Sequence, residues 1–237
     1  MGRLFDLDSP LMRGLNKVAD LMLLNVLTLI CCIPVFTIGA SLTACHYVAL
    51  KILRNEEGYI TKEFFKSFKT NFKQATVVWM IALVVIVVLV LDFYIMTTSP
   101  DISIGYWIEV LLIVTVILLS FTLCWVFAMM AKFTNTLKAT LKNSFALSVI
   151  RFPRTILMLI CYAVPVVIAV FFFQAFPFVL LFGISAPVFV SAVLYNKTFK
   201  GLEEKIIARI EAEKGPEELN PEEEDERIFH DMAEDEQ

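Results

Sequence analysis

The sequence predicts an all-α, polytopic helical membrane protein, and three observations lead to this class. Of the 237 residues, 58% are apolar and only 19% are charged, whereas soluble domains carry about 25% charged residues. The mean hydropathy is +0.75. Several stretches remain apolar over about 20 residues, the length that a helix needs to cross a bilayer. These values disfavour a soluble enzyme, a secreted disulfide scaffold and a disordered protein.

The first apolar segment covers residues 18–50 and is interrupted by Pro34 and Gly39. It is too long for one ordinary span, and two arms of about 16 residues would each reach about 24 Å. We therefore expect a broken hairpin, either re-entrant or made of two short spans. A single long helix kinked at Pro34 is the third option.

The interruption itself, residues 34–41, is a candidate site. Proline removes a backbone donor and glycine tolerates positive φ, and backbone groups freed in a bilayer must be buried in protein or line a wet cavity. Broken helices form binding sites in several transporters. The candidate helix-break or substrate-facing residues are Pro34, Thr37, Gly39 and Ser41. The favoured alternative is a tight turn that only folds the chain back.

Residues 51–74 form a basic segment with a helical pattern. Phenylalanines recur along one side, at Phe64, Phe65, Phe68 and Phe72. Lysines occupy much of the opposite side, at Lys62, Lys66, Lys69 and Lys73. Basic amphipathic helices with aromatic apolar faces lie in the membrane interface, so the pattern predicts an interfacial helix. The alternative is a cytosolic helix that packs on other loops.

Four clear spans follow, at residues 75–96, 105–131, 155–174 and about 177–197. With the N-terminal hairpin they make five to six membrane segments. The 51–74 and 132–154 segments carry six and five Lys/Arg residues, whereas 97–104 and 175–176 carry none. Because basic loops stay on the cytosolic side, we expect both basic segments and both termini to be cytosolic.

The end of the chain is acidic. From Lys200 onwards there are 15 acidic and 5 basic residues, a net charge of −10, whereas the rest of the chain carries +6. An apolar stripe at helical spacing predicts an amphipathic cytosolic helix over 200–214, and the composition of 215–237 predicts a disordered acidic tail. The predicted organisation is a helical transmembrane domain over 1–199, then this helix, then the tail. Such a tail cannot bind nucleic acid through phosphate neutralisation.

Chemistry-bearing motifs are missing from the sequence. The five cysteines lie in apolar segments without a Cys-x-x-Cys pair, and no histidine has metal-ligand spacing. There is no Walker, His-Glu-x-x-His, Gly-x-Ser-x-Gly or Gly-x-Gly-x-x-Gly sequence. We therefore expect no enzyme activity, no catalytic residues, no cofactor and no metal. Asn25, Thr28 and Gln174 are polar residues in apolar surroundings, where such side chains usually bond between helices or to the backbone.

Four sequence features together resemble a known family. They are the start G-x-L-F-x-x-D-S-P, then P-V-F-T-I-G-A-S at 34–41, K-I-L-R-N-E-E-G-Y at 51–59, and F-F-K-S-F-K-x-N-F-K-Q-A-T at 64–76. The chain resembles the YesL family of bacterial integral membrane proteins over roughly residues 1–199, most strongly over 1–78. The acidic tail is not part of that pattern.

The resemblance implies a bacterial cytoplasmic membrane protein encoded near sugar ABC-transporter or polysaccharide-utilisation genes. The family has no assigned activity, so no catalytic residue carries over. The expected function is accessory to carbohydrate uptake, with the lipid bilayer and a sugar ABC transporter as partners and a homo-oligomer left open. The alternative is a small transporter or channel with its site at the broken helix 34–41.

Overall fold

The computed structural model describes residues 10–56, 58–98 and 106–213. Within these ranges the chain is helical and contains no strand. The helices in chain order are α1 (Pro10–Cys32), α2 (Ile38–Arg54), α3 (Ile60–Thr98), α4 (Tyr106–Lys132), α5 (Leu137–Ile150), α6 (Phe152–Phe171), α7 (Phe176–Phe182) and α8 (Ser185–Glu213). The predicted disordered tail at 215–237 and most of the predicted outer loop at 97–104 lie outside the described residues.

Five helical segments are long and apolar enough to cross a membrane. They are Gly14–Cys32, Val35–Arg54, Ile60–Ile95, Val110–Lys132 and Phe152–Phe171. Helix α7 and the first part of α8 make a sixth if the pair, bent by 50°, counts as one span. Apolar side chains on α6 and α7 are widely exposed, with Phe171 at 75% and Phe178 at 70%. The predicted class, a polytopic helical protein with five to six membrane segments, is confirmed, and the exposed apolar surface is suited to lipid contact.

The first two helices form the predicted hairpin. The Cys45 thiol lies beside the Thr28 side chain, although 17 residues of continuous helix would separate these positions by about 25 Å. A short 3₁₀ turn at Val35–Thr37 reverses the chain. Leu24 of α1 and Val48 of α2 share one buried cluster with Phe64 of α3. The third option, a single kinked helix, is therefore wrong.

Helix α3 joins two segments that the sequence analysis separated. Its 39 residues give a length of about 58 Å, so most of the basic segment and the span at 75–96 are one continuous helix. Helix α2 runs antiparallel to its first half. Trp79 lies beside Val35, and Glu63 lies beside Lys51. Before α3 begins, α2 ends at Asn55, whose φ of 54° is the left-handed conformation that closes many helices.

The close approach of α2 to α3 requires a glycine. A Cβ atom on Gly39 would lie 2.5 Å from the Ala75 carbonyl oxygen and 2.6 Å from the Trp79 Cβ. No side chain fits at that distance. The glycine predicted to mark a helix break therefore serves a helix–helix contact.

The segment at 132–154, which the sequence indicates as a polar, basic stretch between two spans, contains a helix of its own. Most of it forms α5, whose Leu141 packs against the cluster that contains Phe127 and Met130 of α4. After α5 the chain turns at Arg151. Phe152 then contacts Phe121, and Thr155 accepts a hydrogen bond from Trp125. These two contacts place the first turn of α6 beside the second half of α4.

The last predicted span, 177–197, is broken after Gly183. Pro187 has no N–H to donate to the Gly183 carbonyl, and its ring would clash with that carbonyl in a continuous helix. Helix α8 then continues to Glu213, so the helix predicted over 200–214 is the end of α8 and not a separate element. Contacts divide the chain into two compact units after Tyr195. In the second unit Phe199 is buried and Ile206 is 45% exposed.

Candidate functional site

The predicted site at 34–41 is a compact turn whose freed backbone groups are bonded to the protein. The Thr37 hydroxyl lies 2.6 Å from the carbonyl oxygens of both Cys31 and Pro34. The Trp79 indole N–H donates to the Val35 carbonyl at 2.8 Å. The Thr37 backbone N–H also donates to the Pro34 carbonyl at 3.0 Å, so the carbonyls of Cys31, Pro34 and Val35 each have a partner within the protein.

The four predicted residues have different surroundings. Pro34 is exposed, Thr37 is buried and bonded within the turn, and Gly39 packs against α3. Ser41 is fully buried, and its hydroxyl lies beside the thiols of Cys31 and Cys32 at the end of α1. The structure therefore brings these residues to the reversal between α1 and α2, where Thr37, Gly39 and Ser41 have packing or bonding contacts that explain their presence. A substrate-facing role for the segment stays a prediction.

The predicted interfacial residues lie on the first half of α3. Phe64 is fully buried against α1 and α2, while Phe68 and Phe72 pack beside the core and Phe65 remains 39% exposed. Rings of Phe64 and Phe68 are stacked with centroids 6.2 Å apart. Much of the aromatic side of this segment thus contacts protein. The lysines on the opposite side, including Lys66, Lys69 and Lys73, are exposed.

A buried histidine that the sequence analysis did not select joins three helices. His46 of α2 is 3% exposed. Its Nδ1 lies 3.2 Å from the Tyr195 hydroxyl of α8, and its Nε2 lies 3.3 Å from the Tyr162 hydroxyl of α6. A neutral imidazole has one donor nitrogen and one acceptor nitrogen. One tyrosine therefore donates to the ring and the other accepts from it.

A second buried bond extends this polar layer to α4. The Trp125 indole N–H donates to the Thr155 hydroxyl at 2.9 Å, and that hydroxyl donates to the Ser148 carbonyl at 3.0 Å. The ring of Trp125 lies 6.5 Å from that of Tyr195. The layer ties α2, α4, α5, α6 and α8 together. Within the described residues no group of three His, Cys, Asp or Glu could hold a metal ion.

Asn25 holds the break between α7 and α8. Its side-chain N–H donates to the Leu180 carbonyl at 2.8 Å, while its carbonyl oxygen accepts from the backbone N–H groups of Ile184 and Ser185 at 2.9 and 2.8 Å. The first N–H groups of a helix have no partner within that helix. One fully buried side chain from α1 thus satisfies both sides of the break, and the expected interhelical bonding of Asn25 is confirmed.

Three of the clefts in the described part of the fold have apolar walls. Two flank the α7–α8 break, share Pro165, Val179 and Gly183 in their walls, and have volumes of about 350 and 440 Å³. The third lies between α3 and α4 and has a volume of about 490 Å³. Their walls are apolar, with only the hydroxyls of Tyr162 and Ser120 as polar side-chain groups. Both hydroxyls are already bonded, to His46 and to the Val116 carbonyl.

A signal for His46 was present in the sequence. The chain has only two histidines, and one of them stands inside the apolar run of α2. An ionisable side chain in a membrane segment is a candidate functional residue. His46 was not selected because it lacks metal-ligand spacing. The tyrosine partners, 116 and 149 residues away, had no comparable signal.

Comparison with known families gives one match. Residues 21–93 match the model of a family described as a protein of unknown function, DUF624. The matched part runs from α1 through most of α3 and includes the turn at 34–41, His46 and the lysines of α3. No curated protein and no solved structure matches the chain. The match supports an uncharacterised family and, together with the apolar helices, an integral membrane protein.

Proposed function

We propose that the protein is a non-enzymatic accessory component of a carbohydrate-uptake system in the bacterial cytoplasmic membrane. The observation that supports this most is the apolar lining of the three clefts described above. A sugar is a polar ligand, and small-molecule sites fix such ligands with convergent polar groups. The cleft walls offer two hydroxyls, and both are bonded within the protein.

The broken segment supports the accessory function over the alternative of a small transporter with its site at 34–41. Transporter sites at broken helices use unwound backbone groups to hold the substrate. Here the Val35 carbonyl accepts from Trp79, the Pro34 carbonyl accepts from the Thr37 backbone N–H, and the Cys31 carbonyl lies 2.6 Å from the Thr37 hydroxyl. A substrate would have to displace these bonds to bind.

The link to carbohydrate uptake is supported by the resemblance to the YesL family described above. A chain that does not itself bind sugar would act by holding, assembling or regulating the transporter that does. This proposal predicts a physical complex between the protein and the membrane subunits of a sugar ABC transporter.

The test is affinity purification of the tagged protein from its native host in a mild detergent, compared with a tagged unrelated polytopic protein. We expect sugar-transporter subunits to be recovered with the tagged protein and not with the unrelated polytopic protein. Liposomes that contain only the purified protein should take up neither sugars nor ions. Recovery of no transporter subunit, or sugar uptake by the protein alone, would contradict the proposal.

A further inference from the structure

The connection between α1 and α2 presents exposed apolar side chains. We name residues 33–36 the hairpin tip, where Ile33 is 77% exposed and Phe36 is 51% exposed. No Asp, Glu, Lys or Arg stands between Asp20 of α1 and Lys51 of α2, so charge is confined to the open end of the hairpin. Exposed apolar groups of this kind mark contacts with a membrane or with another protein.

Helix α3 gives the level of the hairpin tip along a long apolar helix. The Trp79 indole N–H donates to the Val35 carbonyl at 2.8 Å, so the tip lies beside Trp79. Lys73 is the last charged residue before the apolar run and stands six residues earlier, while Asp92 is the next one and stands 13 residues later. At 1.5 Å per residue these separations are about 9 and about 20 Å. The tip is therefore nearer the basic end of the run.

Helix α4 gives an independent measure of the same level. The ring of Phe127 lies 6.4 Å from the ring of Trp79. Lys132 stands five residues after Phe127, and Glu109 stands 18 residues before it, with no charged residue between them. These separations are about 8 and about 27 Å. Between their charged residues both helices have about the 30 Å length of a hydrocarbon core, and both place the tip in the third next to the basic end. A tilt of the helices shortens all these distances in proportion and leaves the tip on that side.

The backbone of the hairpin tip is bonded as a hydrocarbon environment requires. The Cys31 and Pro34 carbonyls lie against Thr37, and the Val35 carbonyl accepts from Trp79. Water would solvate such carbonyls, whereas in a bilayer each one needs a partner within the protein. The body of α2 needs no lipid, because 11 of its 17 residues are buried in the protein. Its apolar sequence is thus explained by packing, and only the tip is left to contact the membrane.

We propose that the α1–α2 hairpin is re-entrant, with its tip among lipid acyl chains in the cytosolic half of the bilayer. Two short spans, the other hairpin that the sequence allows, would need the tip at the outer surface. That surface lies about 20–27 Å beyond the level that α3 and α4 give. A tip in the cytosol would leave Ile33 and Phe36 in water. The inference concerns membrane contact and does not depend on the accessory function.

Thiol labelling distinguishes these three positions of the tip. The variant is Phe36→Cys, with Tyr59→Cys as the cytosolic control because Tyr59 is 84% exposed in the connection before α3. A membrane-impermeant maleimide is applied to intact cells and to open membrane fragments, and the unsubstituted protein gives the background from the native cysteines. Phe36→Cys should not label on intact cells, and in fragments it should label about tenfold more slowly than the control, because an apolar environment suppresses the reactive thiolate.

Two labelling results would overturn the proposal. Labelling of Phe36→Cys on intact cells would mean that α1 and α2 cross the membrane. Labelling in open fragments as fast as Tyr59→Cys would place the tip in cytosolic water. Equal labelling of both variants after denaturation in sodium dodecyl sulfate shows that each thiol is present and free to react.

A depth measurement distinguishes acyl chains from a protein cover. A nitroxide is attached to Phe36→Cys, or to Val77→Cys or Val84→Cys at exposed positions of α3, in a chain whose native cysteines are replaced by alanine. The proteins, each monodisperse in detergent, are placed in liposomes of phosphatidylethanolamine and phosphatidylglycerol. At Phe36, collisions with oxygen should exceed those with a water-soluble nickel complex. Their ratio should be close to that at Val77 and below that at Val84, which lies about 10 Å deeper.

Three depth results would contradict the proposal. A ratio that favours the nickel complex at Phe36 would place the tip in water. Equal ratios at Phe36 and Val84 would place it at the bilayer centre, against the level measured along α3 and α4. Low collision rates with both reagents would mean that protein, and not lipid, covers the tip.

Discussion

Replacing Asn25 with leucine should destabilise the protein by releasing the break between α7 and α8. Leucine has the same branching and the same number of side-chain heavy atoms as asparagine, but a larger volume. Three hydrogen bonds to Leu180, Ile184 and Ser185 disappear, and the methyl groups add a packing cost where they meet these main-chain atoms. The hydrogen-bond part of the loss can be worked out from the three bonds.

The size of the effect lies between two limits. Interhelical hydrogen bonds in membrane proteins average about 0.6 kcal/mol, so three such bonds give about 2 kcal/mol. A buried backbone group left without a partner costs about 1–3 kcal/mol, so three groups at the middle of that range give about 6 kcal/mol. Pro187 prevents the two helices from merging into one that would satisfy these groups internally. We therefore expect the free energy of unfolding to fall by about 4 kcal/mol, midway between the two limits.

The assay is reversible unfolding of the purified protein in mixed micelles of increasing denaturing detergent, followed by tryptophan fluorescence. Asn16→Leu is the matched control, because it makes the same substitution on the same helix at an exposed position. A loss for Asn25→Leu that equals the control, or that stays below about 1 kcal/mol, would refute the reasoning. The break would then be held by packing alone.

Four further outcomes are expected. Gly39→Ala should lower the free energy of unfolding by about 1–3 kcal/mol, because its Cβ would overlap the Ala75 carbonyl; Gly14→Ala, with nothing within 4 Å, should raise it by about 0.5–1 kcal/mol. Trp125→Phe should cost about 1–3 kcal/mol by removing the bond to the Thr155 hydroxyl. Truncation after Gly215 should leave the melting temperature in detergent unchanged, because the removed composition cannot bury a core. Ser99→Cys, in a chain without other cysteines, should react with an impermeant thiol reagent on intact cells.

Each of these outcomes has an opposite that can be observed. Equal stability of the two alanine variants would mean that α2 and α3 are less close than described. Equal stability of the Trp125→Phe protein and the parent would mean that the bond between Trp125 and Thr155 does not help to hold α4 to α6. Loss of expression on truncation would mean that the tail is structured. Labelling of Ser99→Cys only after permeabilisation would reverse the predicted topology.

The sequence predicted the elements whose cause is local. Pro34 and Gly39 marked the reversal between α1 and α2, since both act on their own backbone or immediate packing. The long apolar runs predicted the spans, because the thickness of a bilayer sets a minimum length. The break after Gly183 had the same kind of signal in Pro187, and it was missed because the surrounding apolar run satisfied the length criterion for one span.

The contacts between distant elements were not predictable in this way. Periodicity identified one side of the basic segment as aromatic, but it could not distinguish lipid from the protein core as the surroundings of Phe64. The polar, basic composition of 132–154 indicated a cytosolic segment, but it could not show that α5 buries Thr140, Ser144 and Ser148. The partners of His46 depend on how α6 and α8 pack, which a linear pattern does not contain.

The bonds of Asn25 have an evolutionary consequence, because all three partners are main-chain atoms. Natural selection can replace the side chains of Leu180 and Ile184 without touching the bonds, whereas almost any replacement at position 25 removes them. The asparagine should therefore stay fixed among homologues while the positions it contacts drift independently. Methods that infer spatial proximity from correlated substitutions would assign no coupling to this contact, although it joins α1 to the break between α7 and α8.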